Sequence, residues 1–272
     1  MPPPVRNSTS DKAKPTSFKP SQPSANRGVD AQINQKAALE YWSNVSADNA
    51  GVLGGFPQVS RADLQGSANF LAKLKRSSFH YKNHGRLPRV VDCGAGIGRV
   101  TLGFLGKVAD VVDVVEPVAN LTAVITEGED FADMREKGRI GKVYNVGLES
   151  WTPEVQYDMI WNQWCLGQLN DKQVLDYLVR SKRWVKKGGW MVVKEKMSVE
   201  PDDEDVFDEV DSSVTRTDNK FRSIFAQAGL KIVSTELTKG MPTEMHPVRV
   251  YALQPKVWPE DEDEDMNEDE EE

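Results

Sequence analysis

The 272-residue chain has a formal net charge of −8, yet its last segment, residues 260–272, holds 11 acids, and without them the rest stands at +3. A body this close to neutral gives no reason to invoke nucleic acid, and no stretch approaches the roughly 18 consecutive apolar residues of a membrane span. Two cysteines and three histidines, with no metal-ligand spacing among them, exclude a disulfide framework and a metal centre.

Residues 1–30 hold six prolines and almost no large apolar side chains. They cannot bury enough surface to offset the entropy of ordering, so disorder is expected. No apolar core of a secretory signal is visible. Five basic residues against two acids hint at a transit peptide, but six prolines oppose the amphipathic helix it would need. Cys93 and Cys165 lie in strand-tip patterns and read as reduced, buried residues of a reducing compartment, with the cytoplasm expected and the nucleus as a further location beside it. Residues 259–272 read as a second disordered tail, serving solubility or nonspecific steering. Between the tails, 31–258 is long enough for one α/β domain.

Along that domain, 31–45 reads as a helix ending near Tyr41-Trp42, followed by a glycine-rich loop from Gly51 to Phe56. Ser60 is expected to cap a helix with Leu64, Ala68, Leu71 and Leu74 on one face. From there the pattern alternates. Strands are expected at 89–93, 111–115, 140–146, 157–163 and 189–194. A helix over 171–185 should open at Asn170 or Asp171 and close at Lys187-Gly188-Gly189, with glycine as its C-cap. An acidic insertion follows residue 195, then a helix at 217–228 and strands at 230–236 and 247–254. Alternating β and α with apolar strands implies a parallel sheet covered on both faces, with an antiparallel strand added at its end.

The motif that bears most on function is Val90-Val91-Asp92-Cys93-Gly94-Ala95-Gly96-Ile97-Gly98-Arg99. An apolar strand enters three alternating glycines, where bare backbone can turn sharply and lie against a ligand. The next strand ends at Glu116, 18 residues after Gly98, where a carboxylate can hold two ribose hydroxyls. The dinucleotide fingerprint is G-x-G-x-x-G; here the third glycine comes one residue early. Ligands of such sheets sit beyond the carboxyl ends of the strands, which selects Gly94–Arg99, Glu116, Gly147-Leu148-Glu149 and Gln163-Trp164.

The G-x-G-x-G spacing after Asp92 resembles the first motif of class I S-adenosylmethionine methyltransferases, and the alternation of elements resembles their seven-strand, Rossmann-like sheet with an N-terminal helical extension. Further segments narrow the likeness: Tyr41-Trp42, Leu53-Gly54-Gly55, Tyr157-Asp158-Met159-Ile160-Trp161-Asn162-Gln163-Trp164, Val210-Asp211-Ser212-Ser213-Val214 and Ala228-Gly229-Leu230. Together they resemble the protein α-N-terminal methyltransferases, which methylate the free α-amino group of proteins beginning X-Pro-Lys. The resemblance implies S-adenosyl-L-methionine as cofactor and proteins with X-Pro-Lys N-termini as partners. It implies that Gly94 and Arg99 hold the methionine end, Arg99 facing its carboxylate, that Gly96 is also cofactor-binding, and that Glu116 takes the ribose. Leu148 and Glu149 would frame the adenine, and Gln163 would lie near the sulfonium. On the substrate side it implies Trp164 against the proline, Asp208 and Asp211 facing the lysine and the amine with Ser213 nearby, and Leu53 and Gly54 closing the channel.

Three positions depart from the family pattern. Gln168 stands where a histidine is usual, Lys196 where an asparagine often follows the fifth strand, and His246 where a tyrosine is expected. Gln168 shares the catalytic position with Asp211 but cannot act as a base, which leaves proton removal to Asp211 or water. That loss is tolerable for an α-amine, whose pKa of roughly 7.7–8.0 makes deprotonation at neutral pH cost about 1 kcal/mol, against about 4–5 for lysine. Other readings stay open here: a methyltransferase for a small molecule or another protein site, or a cofactor-binding scaffold without activity. Residue by residue, Trp164 could be a core tryptophan, Asp211 a solvated loop acid and Arg99 a surface arginine.

Overall fold

Neighbouring residues of the central strands go to opposite cores. Val90, Met159 and Val192 join one buried cluster, while Val91, Ile160 and Val193 join the other. This is why apolar residues follow one another in these segments, as at Val90-Val91, Met159-Ile160-Trp161 and Met191-Val192-Val193, rather than standing at every second position. The computed structural model describes residues 28–259 and 261. Strands β1 (Leu87–Cys93), β2 (Ala109–Val115), β3 (Ile140–Tyr144), β4 (Tyr157–Gln163) and β5 (Val185–Lys196) pair in parallel. A separate antiparallel pair, β6 (Val206–Asp208) and β7 (Ser213–Thr215), occupies the acidic insertion. With β8 (Leu230–Leu237) and β9 (Val248–Pro255), the main sheet has seven strands in the order β3-β2-β1-β4-β5-β9-β8.

Among the described residues eight α-helices accompany the sheets: α1 (Gln35–Asn44), α2 (Asn49–Val52), α3 (Val59–Ser77), α4 (Gly106–Val108), α5 (Ala119–Glu127), α6 (Ala132–Glu136), α7 (Asp171–Ser181) and α8 (Asp218–Gln227). Phe70 and Leu71 of α3 and Ile125 of α5 fill one face of the sheet. Val174, Tyr177 and Leu178 of α7, with Phe221, Ile224 and Phe225 of α8, fill the other. Asn170 and Gln173 form a reciprocal capping box at the start of α7. No helix among the described residues is long and apolar enough to cross a membrane.

Several expectations are corrected. The antiparallel strand β9 lies between β5 and β8 rather than at the edge of the sheet. Ser60 does not cap α3, which starts one residue earlier behind Gln58; its hydroxyl instead stands 3.5 Å from Arg99 Nη1. Helix α7 ends at Ser181, and Gly188 and Gly189 lie inside β5. There the β4–β5 register shifts between Tyr157 and Met159. A Cβ on Gly189 would come within 2.6 Å of the Asp158 carbonyl oxygen, so the bulge needs bare backbone. The expected tails lie mostly outside the described residues, but Val29–Gln32 forms a 3-10 turn across the boundary expected at residue 30. The Asp171 amide donates to Asp30 Oδ2 at 2.9 Å, tying that turn to α7.

The Gly189 contact is with main chain, which cannot swing aside. Gly189→Ala should therefore lower the unfolding free energy by about 1–3 kcal/mol, measured as a drop in the urea midpoint at unchanged slope.

Candidate active site

The carboxyl ends of β1, β2 and β4 and the residues after β3 open into a cleft of about 1260 Å³, counting its solvent-open mouth. At the end of β1 the amides of Gly94 and Ala95 both donate to the Val115 carbonyl, at 2.8 and 3.2 Å. Gly94 has φ +68°, and a Cβ there would fall 2.4 Å from Cys165 Cβ. The loop therefore holds its backbone, not side chains, against the cleft. Gly96 N–H donates to Glu116 Oε2 at 3.0 Å, and Val118 N–H donates to Oε1 at 2.9 Å. Burial pushes the Glu116 carboxyl up, against those two backbone donors.

A second group of residues shapes the opposite side. β4 ends at Gln163, whose Oε1 accepts from Trp161 Nε1 at 3.0 Å and whose Nε2 donates to Asp63 Oδ2 at 2.8 Å. Arg99 Nη1 donates to the same Asp63 oxygen at 2.8 Å. Lys194 of β5 bonds Asp63 Oδ1 and also donates to Ser67 Oγ at 2.8 Å. The side chains of Asp63, Lys194 and Arg99 are 0%, 1% and 8% exposed, so Arg99 is no surface arginine. Burial tends to raise the Asp63 carboxyl, but Lys194, Arg99 and the Gln163 hydrogen bond outweigh it and hold it below its ordinary value.

Trp164 follows at φ +55°, a left-handed conformation that non-glycine residues seldom adopt. Two clamps surround its turn. Glu195 Oε1 accepts from the amides of Cys165 and Leu166, each at 2.9 Å. Arg216, fully buried, donates from Nη1 to the Leu166 carbonyl at 2.9 Å and from Nη2 to the Leu169 carbonyl at 2.5 Å. The Arg99 guanidinium lies 5.3 Å from the centre of the Trp164 ring. Trp164 Nε1 is buried without a hydrogen-bond partner among the described residues, and so is Asp211 Oδ1. Gln168 Nε2 reaches the Asp211 carbonyl at 3.4 Å and its Oδ2 at 3.5 Å. Burial raises the Asp211 carboxyl, opposed by Ser213, Lys196 and Gln168, with the Asp208 charge adding to the rise. Trp164 is thus neither a core residue nor Asp211 a solvated one.

All the residues expected at the cofactor line the cleft: Gly94, Gly96, Arg99, Glu116, Leu148, Glu149 and Gln163. Trp164 and Gln168 line it too, as does Cys165, which is therefore only half buried. Leu53, Gly54, Asp208, Asp211 and Ser213 do not line it. Leu53 is buried at the end of α2 and Gly54 is exposed beside it, while Val52 takes the cleft position. Asp208 and Ser213 pair across β6 and β7, next to Asp211. The Tyr41 phenol lies close by: burial and the charges of Asp211 and Asp208 push its pKa up. His246, pulled down by burial and by the Lys196 charge, also feels Glu200 and Asp208. The departures at 168, 196 and 246 thus gather around Asp211 rather than around the glycine loop.

Sequence reading missed Asp63 and Lys194, and also the role of α1, whose Gln35, Ala38, Leu39 and Trp42 form one wall of the cleft. Among the described residues no cluster of His, Cys, Asp or Glu is placed to hold a metal ion.

Residues 30–254 match the family model described as AdoMet-dependent proline di-methyltransferase. The chain belongs to that family. It is 40% identical over 223 residues to the alpha N-terminal protein methyltransferase 1 of Schizosaccharomyces pombe, a match spanning 80% of this chain and 94% of that one. It is 33% identical to the N-terminal Xaa-Pro-Lys N-methyltransferase 1 of Xenopus tropicalis, over 79% of this chain and 93% of that one. The solved structure of a SAM-dependent methyltransferase from Leishmania major superposes with a TM-score of 0.71 at 29% identity, covering 89% of this chain and all of that one. The cofactor is S-adenosylmethionine, and the cleft fits it. The bare loop at Gly94 admits a ligand against the main chain, and Glu116 offers a carboxylate at the tip of β2.

One clamp of the Trp164 turn predicts a pH effect on stability. Burial raises the Glu195 carboxyl from an ordinary 4.5 to about 7. Between those values the folded protein binds more protons than the unfolded chain, so stability falls as pH rises through that window. Glu195→Gln keeps an acceptor for both amides and loses the titration. Its unfolding free energy should depend less on pH from 4.5 to 7 than that of the wild type, as read by urea denaturation across that range.

Proposed function

We propose that the protein transfers methyl groups from S-adenosylmethionine to the free α-amino group of proteins whose N-termini read Xaa-Pro-Lys. The observation that carries this reading is that two buried polar atoms, Trp164 Nε1 in the cleft wall and Asp211 Oδ1 beside Gln168, have no partner among the described residues. A buried acceptor and a buried donor left without partners fit a ligand that brings a donor and an acceptor of its own. A peptide N-terminus has both: an amine to donate to Asp211 and a carbonyl to accept from the indole. The relatives named for Xaa-Pro-Lys methylation support the same substrate class.

When bound, the cofactor supplies an electrophilic methyl group on a sulfonium, and the protein's task is to align a neutral amine with it. In this reading Gly94, Gly96 and Arg99 take the amino-acid end of the cofactor, and Glu116 takes the ribose hydroxyls. Leu148 and Glu149 border the adenine, and Gln163 stands near the sulfonium. Trp164, held in its strained turn by Glu195 and Arg216, offers a rigid wall to the substrate proline. Asp211 receives the amine proton, and Asp208 and Ser213 face the third residue, with Leu53 and Gly54 at the entrance. Gln168 can donate to Asp211 and hold its orientation, but with no basic site it takes up no proton.

Mass spectrometry of a Ser-Pro-Lys peptide with the cofactor should show methyl groups on the α-amine, and the Nα-acetylated peptide should stay unmodified. Methylation of the acetylated peptide on its lysine would overturn the assignment. Replacing the peptide's lysine by glutamate should lower kcat/KM by about tenfold or more, since like charges then meet in a partly desolvated site.

Asp211→Asn should depress turnover far more than Asp208→Asn. Because burial raises the Asp211 carboxyl, it becomes protonated at a higher pH than an ordinary aspartate. The substrate amine, whose pKa is roughly 7.7–8.0, must also lose its proton, so the acid limb of the pH–rate profile should persist in Asp211→Asn at a lower rate.

A further inference from the structure

The carboxylate of Asp63 serves two residues of the cleft at once. Its Oδ2 accepts from Arg99 Nη1 and from Gln163 Nε2, both at 2.8 Å, while its Oδ1 is bonded by Lys194. Asp63 comes from α3, Gln163 from the end of β4 and Lys194 from β5, so three elements meet on one buried group. The Gln163 amide cannot flip without loss, because its oxygen already accepts from Trp161 Nε1 at 3.0 Å. The plane of Arg99 is constrained as well, by the Trp164 ring at 5.3 Å. Of the five N–H groups of that guanidinium, Nη1 is committed to Asp63 and Ser60, which leaves other donors of a cleft-lining residue for what binds there.

We propose that Asp63 and Lys194 form a positioning unit for cofactor recognition, orienting Arg99 toward the amino-acid end of S-adenosylmethionine and Gln163 toward its sulfonium. The inference rests on the roles given above to those two residues. A simple staple of α3 onto the sheet needs only the Lys194–Asp63 pair. The second carboxylate oxygen, shared between the two cleft-lining side chains, goes beyond what a staple requires. Lys194 contributes by position: it neutralises Asp63 from the side away from Arg99, so the carboxylate has one oxygen for each role.

The test compares two probes by calorimetry: S-adenosylhomocysteine, which carries the amino-acid end, and methylthioadenosine, which lacks it. The main variant is Asp63→Leu with Lys194→Met, which removes both buried charges together, a change cores often tolerate. Adenosylhomocysteine affinity should fall about tenfold or more, the loss of oriented charge-assisted bonds, while methylthioadenosine affinity stays within about twofold. Asp63→Asn, which keeps the shape, should shift the ratio of the two affinities in the same direction by a smaller factor. Equal losses for both probes, no loss for either, or failure of both variants to fold would mark the unit as a staple and overturn the inference. Arg99→Ala separates the two levels. If it leaves the ratio unchanged, the role of Arg99 itself is wrong. If it lowers the ratio and the Asp63 variants do not, only the positioning unit is wrong.

Discussion

The arrangement of the active site depends on one carboxylate removed from water. Asp63 sits at the junction of the helical extension and the sheet, accepting from Lys194, Arg99 and Gln163. Desolvating an ion is costly, and an ion pair recovers that cost only when its geometry is good and its remaining lone pairs are filled. Here both carboxylate oxygens are filled. The weak point of such a network is not the pair but any single partner, since removing one leaves a buried charge uncompensated. The extension is therefore held in place by a polar contact that is intolerant of partial change, as a site needing fixed distances requires.

Two mechanical regimes meet at the strand tips. The glycine loop after β1 presents main chain and is shaped by what its neighbours exclude, as the close approach of Cys165 to Gly94 shows. The turn after β4 presents side chains and is shaped by what grips it, with Glu195 below and Arg216 beside. The first regime suits a cofactor that must approach the backbone closely. The second suits a substrate that must find a rigid aromatic wall. Asn34, whose amide donates to Ser212 Oγ at 2.8 Å, links the helical extension to the loop bearing Asp211. The two halves of the site therefore share a boundary through α1.

The sequence made the strands and the cofactor half readable because both are written locally. The segment Tyr157–Gln163, with Met159-Ile160-Trp161 at its centre, is buried at all seven positions, and the glycines follow directly on β1. Glu116 was readable for the same reason, as the acid that ends β2. What could not be read was the partner of Arg99. Asp63 is one acid in the first turns of a helix, and nothing near it in the chain shows that Lys194 and Gln163 converge on it from 131 and 100 residues away. Lys194, a cation inside the run Met191–Glu195, was the available signal, since a lysine in a buried strand demands a counter-charge. The Gly188-Gly189 pair misled because a helix C-cap and a strand bulge both call for glycine, and only the register against β4 separates them. The peptide half was legible mainly through family likeness, because β6 and β7 are too short to carry a pattern.

The position of β9 has a consequence for how the chain reaches this state. It is the last of the described strands to be made, yet it fills an interior slot, with β5 on one side and β8 on the other. Until Val248–Pro255 has left the ribosome, β5 is an open edge and β8 has no strand to pair with. The sheet therefore cannot be completed progressively from its first strand. β8 can join the sheet only through β9, as the outer arm of an antiparallel hairpin whose β9 pairs with β5. The edge of β5 that waits for it carries Lys194, so the charge that anchors Asp63 borders the place where the sheet closes last. Synthesis order and active-site assembly thus converge on the same strand.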